Sequence, residues 1–204
     1  LDDSFAAMAA RVLSEAPPRF GLVGLSMGAS VAAEIAESAP DRVVGMALID
    51  CNLNAPDQHQ LTTRQRWASD VRAGYFAKIV EEITPEMSIS PEIHGALLVE
   101  MARSVGPAGF LRQNDALLVR HDRRPLVENF NGPILVACGR YDRLCPPEEH
   151  ARLVSLAADG QLAIAESAGH LSTIDEPARL TSVLERWLQM CDTQKPRRKY
   201  QYEH

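Results

Sequence analysis

Residues 16–50 read APPRFGLVGLSMGASVAAEIAESAPDRVVGMALID. The short apolar run at residues 20–24 predicts a buried strand, and the alanine-rich residues 27–38 predict a helix. Residues 43–49 form a second apolar run, which ends at Asp50. Continuously apolar strands that alternate with helices are typical of a parallel sheet covered on both faces.

The same alternation continues on both sides of this stretch. Residues 3–15 carry apolar side chains at helical spacing, and residues 133–138 and 161–165 predict two further buried strands. Helices are expected to follow them at residues 146–157 and 176–190, the second strongly amphipathic. The predicted fold is therefore α/β, with a mostly parallel sheet flanked by helices.

Residues 57–130 interrupt this alternation. They contain no convincing strand and predict three or four helices, near residues 58–82, 91–104, 107–120 and 122–130. Two interpretations remain open, a helical hairpin that packs on the sheet or a lid over an active site. The predicted organisation is a core in two parts, an insert and a frayed, polar, basic tail, with bounds 1–56, 57–130, 131–192 and 193–204.

Composition excludes several classes of protein. The chain is 46% apolar and 24% charged, as in ordinary globular proteins. A formal net charge of −6 argues against nucleic acid or an anionic membrane as a partner. The four cysteines show neither a CxxC pair nor metal-ligand spacing, so we expect reduced, structural thiols, a cytoplasmic location and no metal site; they are Cys51, Cys138, Cys145 and Cys191.

Gly24-Leu25-Ser26-Met27-Gly28 fits the pattern G-x-S-x-G between a predicted strand and a predicted helix. In that context the serine occupies a strained turn, and its hydroxyl projects above the carboxyl end of the sheet. The backbone N–H of Met27 then faces a developing oxyanion at the positive end of the helix. The alternative interpretation is a glycine-rich turn with a capping serine, which the flanking strand and helix disfavour.

A serine nucleophile needs a base, and the base needs an acid to orient it. His170 follows the last predicted strand, so we expect it at the same edge of the sheet as Ser26. His150, on the helix predicted at 146–157, and His94 and His121, in the insert, are expected to be surface polar residues.

Two aspartates compete for the role of the acid. Asp142 lies in GRYDRLCPP, directly after the strand predicted at 133–138, and Asp50 closes the strand predicted at 43–49. Both would lie at the carboxyl edge. Asp142 can also be read as a turn or capping residue before the two prolines. We prefer Asp142 because its surrounding motif is longer, and keep Asp50 as the alternative.

Residues 16–50, 132–150 (GPILVACGRYDRLCPPEEH) and 165–177 (AESAGHLSTIDEP) together resemble the α/β-hydrolase superfamily, in particular members with a helical lid. The chain order of serine, aspartate and histidine is also that of this superfamily. The resemblance implies that Ser26 is the nucleophile, Asp142 the acid and His170 the base. It also implies that Met27 is an oxyanion donor.

The chain departs from this pattern before the serine. In the superfamily several strands precede the G-x-S-x-G turn, and a loop after one of them supplies a second oxyanion N–H. Here only 25 residues precede Ser26, and they contain no HG or GG pair. We therefore expect an N-terminally incomplete form of the fold. Its strand at residues 20–24 would be an exposed edge that pairs with another copy or another polypeptide.

The expected reaction is hydrolysis of a carboxylic ester, thioester or lactone, or of a C–C bond, through an acyl-enzyme on Ser26. The alternative is a catalytically impaired or inactive hydrolase that lacks the oxyanion loop. The expected substrate is a small acyl compound, and no cofactor is expected. The insert is expected to supply apolar side chains to the substrate pocket, namely Trp67, Phe76, Leu97 and Met101.

Overall fold

The computed structural model describes residues 2–193. Its elements, in chain order, are α1 (Phe5–Glu15), β1 (Phe20–Leu25), α2 (Met27–Ser38), β2 (Val43–Ile49), α3 (Gln58–Arg72), α4 (Phe76–Met87), α5 (Pro91–Leu118), α6 (Arg124–Asn129), β3 (Ile134–Gly139), α7 (Pro147–Ser155), β4 (Gly160–Ala165), α8 (Ser172–Asp175) and α9 (Pro177–Thr193). The predicted tail overlaps this part of the chain only at Thr193, which ends α9; residues 194–204 lie outside it.

The four strands form one parallel sheet in the order β1-β2-β3-β4, which confirms the expected α/β fold. The two central strands, β2 and β3, are buried almost throughout. Among the described residues β1 is an edge strand, and Val23 on it is 55% exposed. Pairing of this edge with another copy stays a prediction.

Helices cover both faces of the sheet. On one face the alanines of α2 allow close packing against apolar side chains of β2 and β3, including Leu48 and Val136. On the other face α9 buries Trp187, whose indole N–H donates to Pro133 O at 3.1 Å. Replacing a tryptophan buried in this way with alanine costs about 3–5 kcal/mol, so α9 is integral to the fold.

The insert is helical, as predicted, but its helices break at different places. The helix predicted at 58–82 is two helices, α3 and α4, separated at Gly74 with φ 93°. The helices predicted at 91–104 and 107–120 adjoin within α5, and Gly106 with φ 68° marks the kink between them. Both glycines adopt backbone angles that no helix contains. None of the helices in residues 2–193 is long and apolar enough to cross a membrane.

Candidate active site

Ser26 lies in the turn between β1 and α2 with φ 51° and ψ −116°, a strained conformation for a residue with a side chain. Its N–H donates to Ile49 O at 2.8 Å, which ties the turn to the end of β2. A Cβ atom on Gly24 would lie 2.4 Å from Gly28 O, so glycine is required there for α2 to approach β1. A Cβ atom on Gly28 would meet nothing within 4 Å, so close packing of this turn requires glycine at position 24 but not at position 28.

The structure brings Ser26, His170 and Asp142 into one hydrogen-bonded chain. Ser26 Oγ lies 2.8 Å from His170 Nε2, and His170 Nδ1 lies 2.9 Å from Asp142 Oδ2. The other oxygen, Asp142 Oδ1, accepts from the N–H groups of Leu144 and Cys145 at 2.9 and 2.8 Å. The Asp142 carboxylate therefore stabilises the turn that follows it with one oxygen and orients the imidazole of His170 with the other. With Nδ1–H donating to Asp142, Nε2 is left to accept the serine proton.

Asp50, the alternative acid, is directed elsewhere. Its Oδ1 accepts from Gly139 N–H at 3.1 Å, and its Oδ2 accepts from the N–H and the hydroxyl of Ser172 at 3.0 and 2.7 Å. Burial raises the pKa of Asp50 to about 7, although the bonds from Ser172 act in the opposite direction. Asp50 therefore links the ends of β2 and β3 to the segment after His170, and it is Asp142 that contacts the histidine.

His150 corrects an expectation from the sequence. It was expected on the surface, yet it is completely buried. Its Nε2 accepts from Cys51 N–H at 2.8 Å, and its Nδ1 lies 3.1 Å from Pro146 O. Burial lowers the pKa of His150, which favours the neutral ring with the proton on Nδ1. Helical spacing was the sequence signal that could have predicted the burial of His150, since Leu153 lies three residues later on the same buried face of α7.

The insert meets the His170 segment at a polar cluster that we call the insert junction, made of Ser88, Ile89, His94, Gly169 and Asp175. Asp175 Oδ2 accepts from the N–H groups of Gly169 and Ile89 at 2.8 and 3.2 Å. Asp175 Oδ1 accepts from the Ser88 hydroxyl and lies 3.1 Å from His94 Nδ1. His94, also expected on the surface, is partly buried here. Its role is to join insert and core.

The residues predicted to line the pocket are spread through the insert. The Phe76 ring packs edge-on against Phe110, with centroids 6.0 Å apart, and the Trp67 indole N–H donates to a carboxylate of α4. Leu97 and Met101 are 47% and 46% exposed. A cleft of about 320 Å³ lies between the insert and the loops of Asp142 and His170, but none of the four residues lines it. Their part in substrate binding stays a prediction.

Asp142, Cys145 and His170 hold potential metal-ligand atoms within 4.8 Å of one another. The arrangement suits a proton relay better than a metal. The Asp142 carboxylate is already engaged with the histidine and with two backbone N–H groups. Burial raises the pKa of the Cys145 thiol, which keeps it protonated and a poor ligand.

The sequence model of the Alpha/beta hydrolase family matches residues 1–183. The chain therefore belongs to this family and is a hydrolase. A thermophilic esterase from Thermogutta terrifontis, solved with malate bound, is 27% identical with a TM-score of 0.84, over 93% of this chain and 74% of that one.

More distant structures share the fold. The enol-lactonase of Burkholderia xenovorans LB400 is 21% identical with a TM-score of 0.79, over 91% of this chain and 73% of that one. An esterase from Exiguobacterium antarcticum is 16% identical with a TM-score of 0.80, over 93% and 75%. A comparison with curated protein sequences finds no significant match.

Proposed function

We propose that this hydrolase cleaves a carboxylic ester, thioester or lactone through a covalent acyl-enzyme on Ser26. The observation that carries the proposal is the hydrogen-bonded chain from Ser26 Oγ through His170 to Asp142, at 2.8 and 2.9 Å. The strained turn at Ser26 adds to it, because such strain accumulates at reacting residues. The 27% identical esterase favours an ester over the C–C bond that the same residues can cleave.

In this mechanism Ser26 Oγ attacks the carbonyl carbon while His170 Nε2 takes the hydroxyl proton. The imidazolium then gives that proton to the leaving alkoxide or thiolate, and the acyl group stays on Ser26. Water deprotonated by His170 attacks the acyl-enzyme, releases the carboxylic acid and restores the serine. Throughout the reaction the Asp142 carboxylate accepts a hydrogen bond from Nδ1–H and stabilises the positive charge on the ring.

The first residue of α2 supplies an oxyanion donor in this proposal. The N–H groups in the first turn of a helix have no acceptor within the helix, and the helix dipole places positive charge there. Met27 directly follows Ser26 at this position. Its N–H would donate to the oxygen that becomes negative in the tetrahedral intermediate, which is the moment when a fixed donor has most effect on rate.

We further propose that the insert acts as a lid over this site. The insert junction supports this role, because Asp175 binds the insert at Ile89 and the core at Gly169, which precedes His170. A second contact runs from Leu171 N–H to Met87 O at 2.7 Å. The insert therefore contacts the chain on both sides of His170.

Labelling with a fluorophosphonate tests the nucleophile. We expect stoichiometric labelling of Ser26, mapped by peptide mass spectrometry, together with hydrolysis of 4-nitrophenyl acetate. The variant Ser26→Ala should be folded, unlabelled and slower by a factor of about 10⁴ or more in kcat. Ser30, which is buried on α2, provides a matched control, since Ser30→Ala should label normally. A folded wild-type protein that neither labels nor turns over would instead favour the inactive hydrolase.

A further inference from the structure

The backbone on both sides of His170 is bonded to groups outside its own turn. Gly169 N–H, which precedes it, donates to Asp175 Oδ2 at 2.8 Å. Leu171 N–H, which follows it, donates to Met87 O at 2.7 Å. Met87 is the last residue of α4, so one of these two acceptors belongs to the insert itself. The backbone position of His170 therefore depends on acceptors from other segments of the chain.

The other acceptor, Asp175, is shared between the core and the insert, and its side chain is only 1% exposed. Its Oδ2 accepts from the N–H groups of Gly169 and Ile89, at 2.8 and 3.2 Å. Its Oδ1 accepts from the Ser88 hydroxyl and lies 3.1 Å from His94 Nδ1. Separating these groups would leave buried polar atoms without partners, which is costly. We therefore expect Gly169 and the insert to move together.

Gly169 is also packed closely against the core. A Cβ atom on Gly139, at the end of β3, would lie 2.2 Å from Gly169 O, so the two backbones approach too closely for a side chain at that position. Next to this contact Tyr141 N–H donates to Ala168 O at 2.9 Å. Towards the insert, a Cβ atom on Gly169 would lie 3.3 Å from Ile89 N. The segment before the triad base is therefore in contact with both the end of β3 and the insert.

We propose that Asp175 is a positioning residue for His170, through which docking of the insert sets the geometry of the base. His170 Nε2 has to stay within hydrogen-bond reach of Ser26 Oγ, 2.8 Å away, while Nδ1 keeps its bond to Asp142. A misplacement of about 1 Å in such a site lowers the rate by about 100-fold. This inference rests on the proposed function, because it concerns the base of the same triad.

This role differs from that of a lid that only binds or admits the substrate. A group that binds the ground state and the transition state equally changes KM, whereas a group that aligns the reacting atoms changes kcat. A carboxylate that only holds the fold together changes neither parameter in the folded protein. The response of kcat and KM to substitution of Asp175 therefore distinguishes the three roles.

The kinetic test removes the shared acceptor. Asp175→Ala should lower kcat for 4-nitrophenyl acetate by about tenfold to 100-fold and change KM by less than about threefold. Asp175→Asn keeps one acceptor oxygen and should retain part of kcat, which provides a readout if Asp175→Ala does not fold. Leu153→Ala removes a buried side chain of α7 and controls for lost stability, since kcat of the folded variant should not change. A wild-type kcat in the folded Asp175 variant, or a loss confined to KM, would overturn the proposal.

A second variant strains the same junction without removing a hydrogen-bonding group. The methyl group of Gly169→Ala would lie 3.3 Å from Ile89 N, so the insert and the segment before His170 have to separate slightly. We expect kcat to fall by about threefold or more. Gly95→Ala on α5 is the matched control, because its methyl group would make only an ordinary contact, 3.9 Å from Thr84 Cγ2. Equal kcat values for the two variants would overturn the link between the insert and the base.

A spectroscopic measurement separates this inference from the proposed function. NMR of protein labelled with ¹⁵N-histidine reports which ring nitrogen of His170 carries the proton, and comparison with His170→Ala assigns the signals. In the wild type and in Leu153→Ala the neutral ring should carry the proton on Nδ1, whereas the Asp175 variant should show a mixture of both tautomers.

This change of tautomer in a protein whose wild type has no esterase activity would support the positioning role and refute the proposed function. An active wild type whose tautomer and kcat do not respond to substitution of Asp175 would do the reverse.

Discussion

The carboxyl edge of the sheet and the insert above it satisfy their charged groups in different ways. At the sheet edge Asp50 and Asp142 are buried, and each accepts three hydrogen bonds or more at fixed positions. Within the described residues 2–193, the partly buried Arg64 and Arg120 of the insert have no carboxylate within ion-pair distance, and Leu97 is almost half exposed. The carboxylates at the sheet edge are therefore held in fixed positions by several hydrogen bonds each, whereas these side chains of the insert are not.

The largest expected effect tests whether Asp142, and not Asp50, is the acid that orients His170. Asp142→Asn should lower kcat on an activated ester by about 10³–10⁴, because a neutral amide does not stabilise the imidazolium and its NH2 group can donate to Nδ1, which favours the tautomer with the proton on Nε2. Asp50→Asn should lower it by about tenfold or less, since the hydrogen bonds of Asp50 go to Ser172 and Gly139 and not to His170. Steady-state kinetics of the two folded variants measure both effects. Similar losses in the two variants would mean that Asp142 is not the single acid.

The next effect concerns stability against pH. The pKa of Asp50 is about 7 in the folded protein because of burial, against about 3.9 for an unfolded aspartate. The folded state therefore holds this proton more tightly, so the stabilisation is complete below about pH 4 and is lost as the pH rises through 7.

Between pH 4 and 8 the free energy of unfolding of the wild type should accordingly fall, relative to Asp50→Asn, by on the order of a few kcal/mol. Urea denaturation of both proteins at one-unit pH intervals measures the difference. Parallel pH profiles for the two proteins would show that Asp50 ionises normally in the fold.

The insert junction tests how firmly the two regions are joined. Asp175→Asn leaves one acceptor oxygen where Gly169, Ile89 and Ser88 need two, so we expect a loss of about 1–3 kcal/mol in stability. Amide hydrogen exchange at residues 88–90 should become faster than in Asp192→Asn, a control at an exposed aspartate of α9. Unchanged exchange at these residues would show that contacts other than those of Asp175 hold the insert to the core.

The smallest expected effect on stability belongs to the exposed side chains of α5. Leu97→Ala and Met101→Ala should each change the free energy of unfolding by only about 0.5 kcal/mol. Leu98→Ala, which removes a buried neighbour, should cost about 2–5 kcal/mol. If Leu97 and Met101 line the pocket when substrate is bound, KM for long-chain esters should rise in their variants. An unchanged chain-length profile would remove both from the pocket.

The sequence by itself determined the elements whose signals are local. The bounds of α2 and β2 agree residue for residue with the predicted helix and strand, because an alanine-rich helix and an apolar parallel strand depend on neighbours within a few residues. The turn at Ser26 could also be predicted, since the pattern G-x-S-x-G occupies one short segment between the strand β1 and the helix α2. The position of His170 followed from the strand before it.

Tertiary structure alone decided which distant groups meet. Ser26 and His170 are 144 residues apart, and only the parallel sheet places both at one edge. Asp50 and Asp142 each end a strand there, so local sequence could not separate them; the hydrogen bonds of the assembled edge did. The burial of His150 likewise depends on how α7 packs on the sheet. Periodicity identifies a buried face, but the partner that buries it comes from elsewhere in the chain.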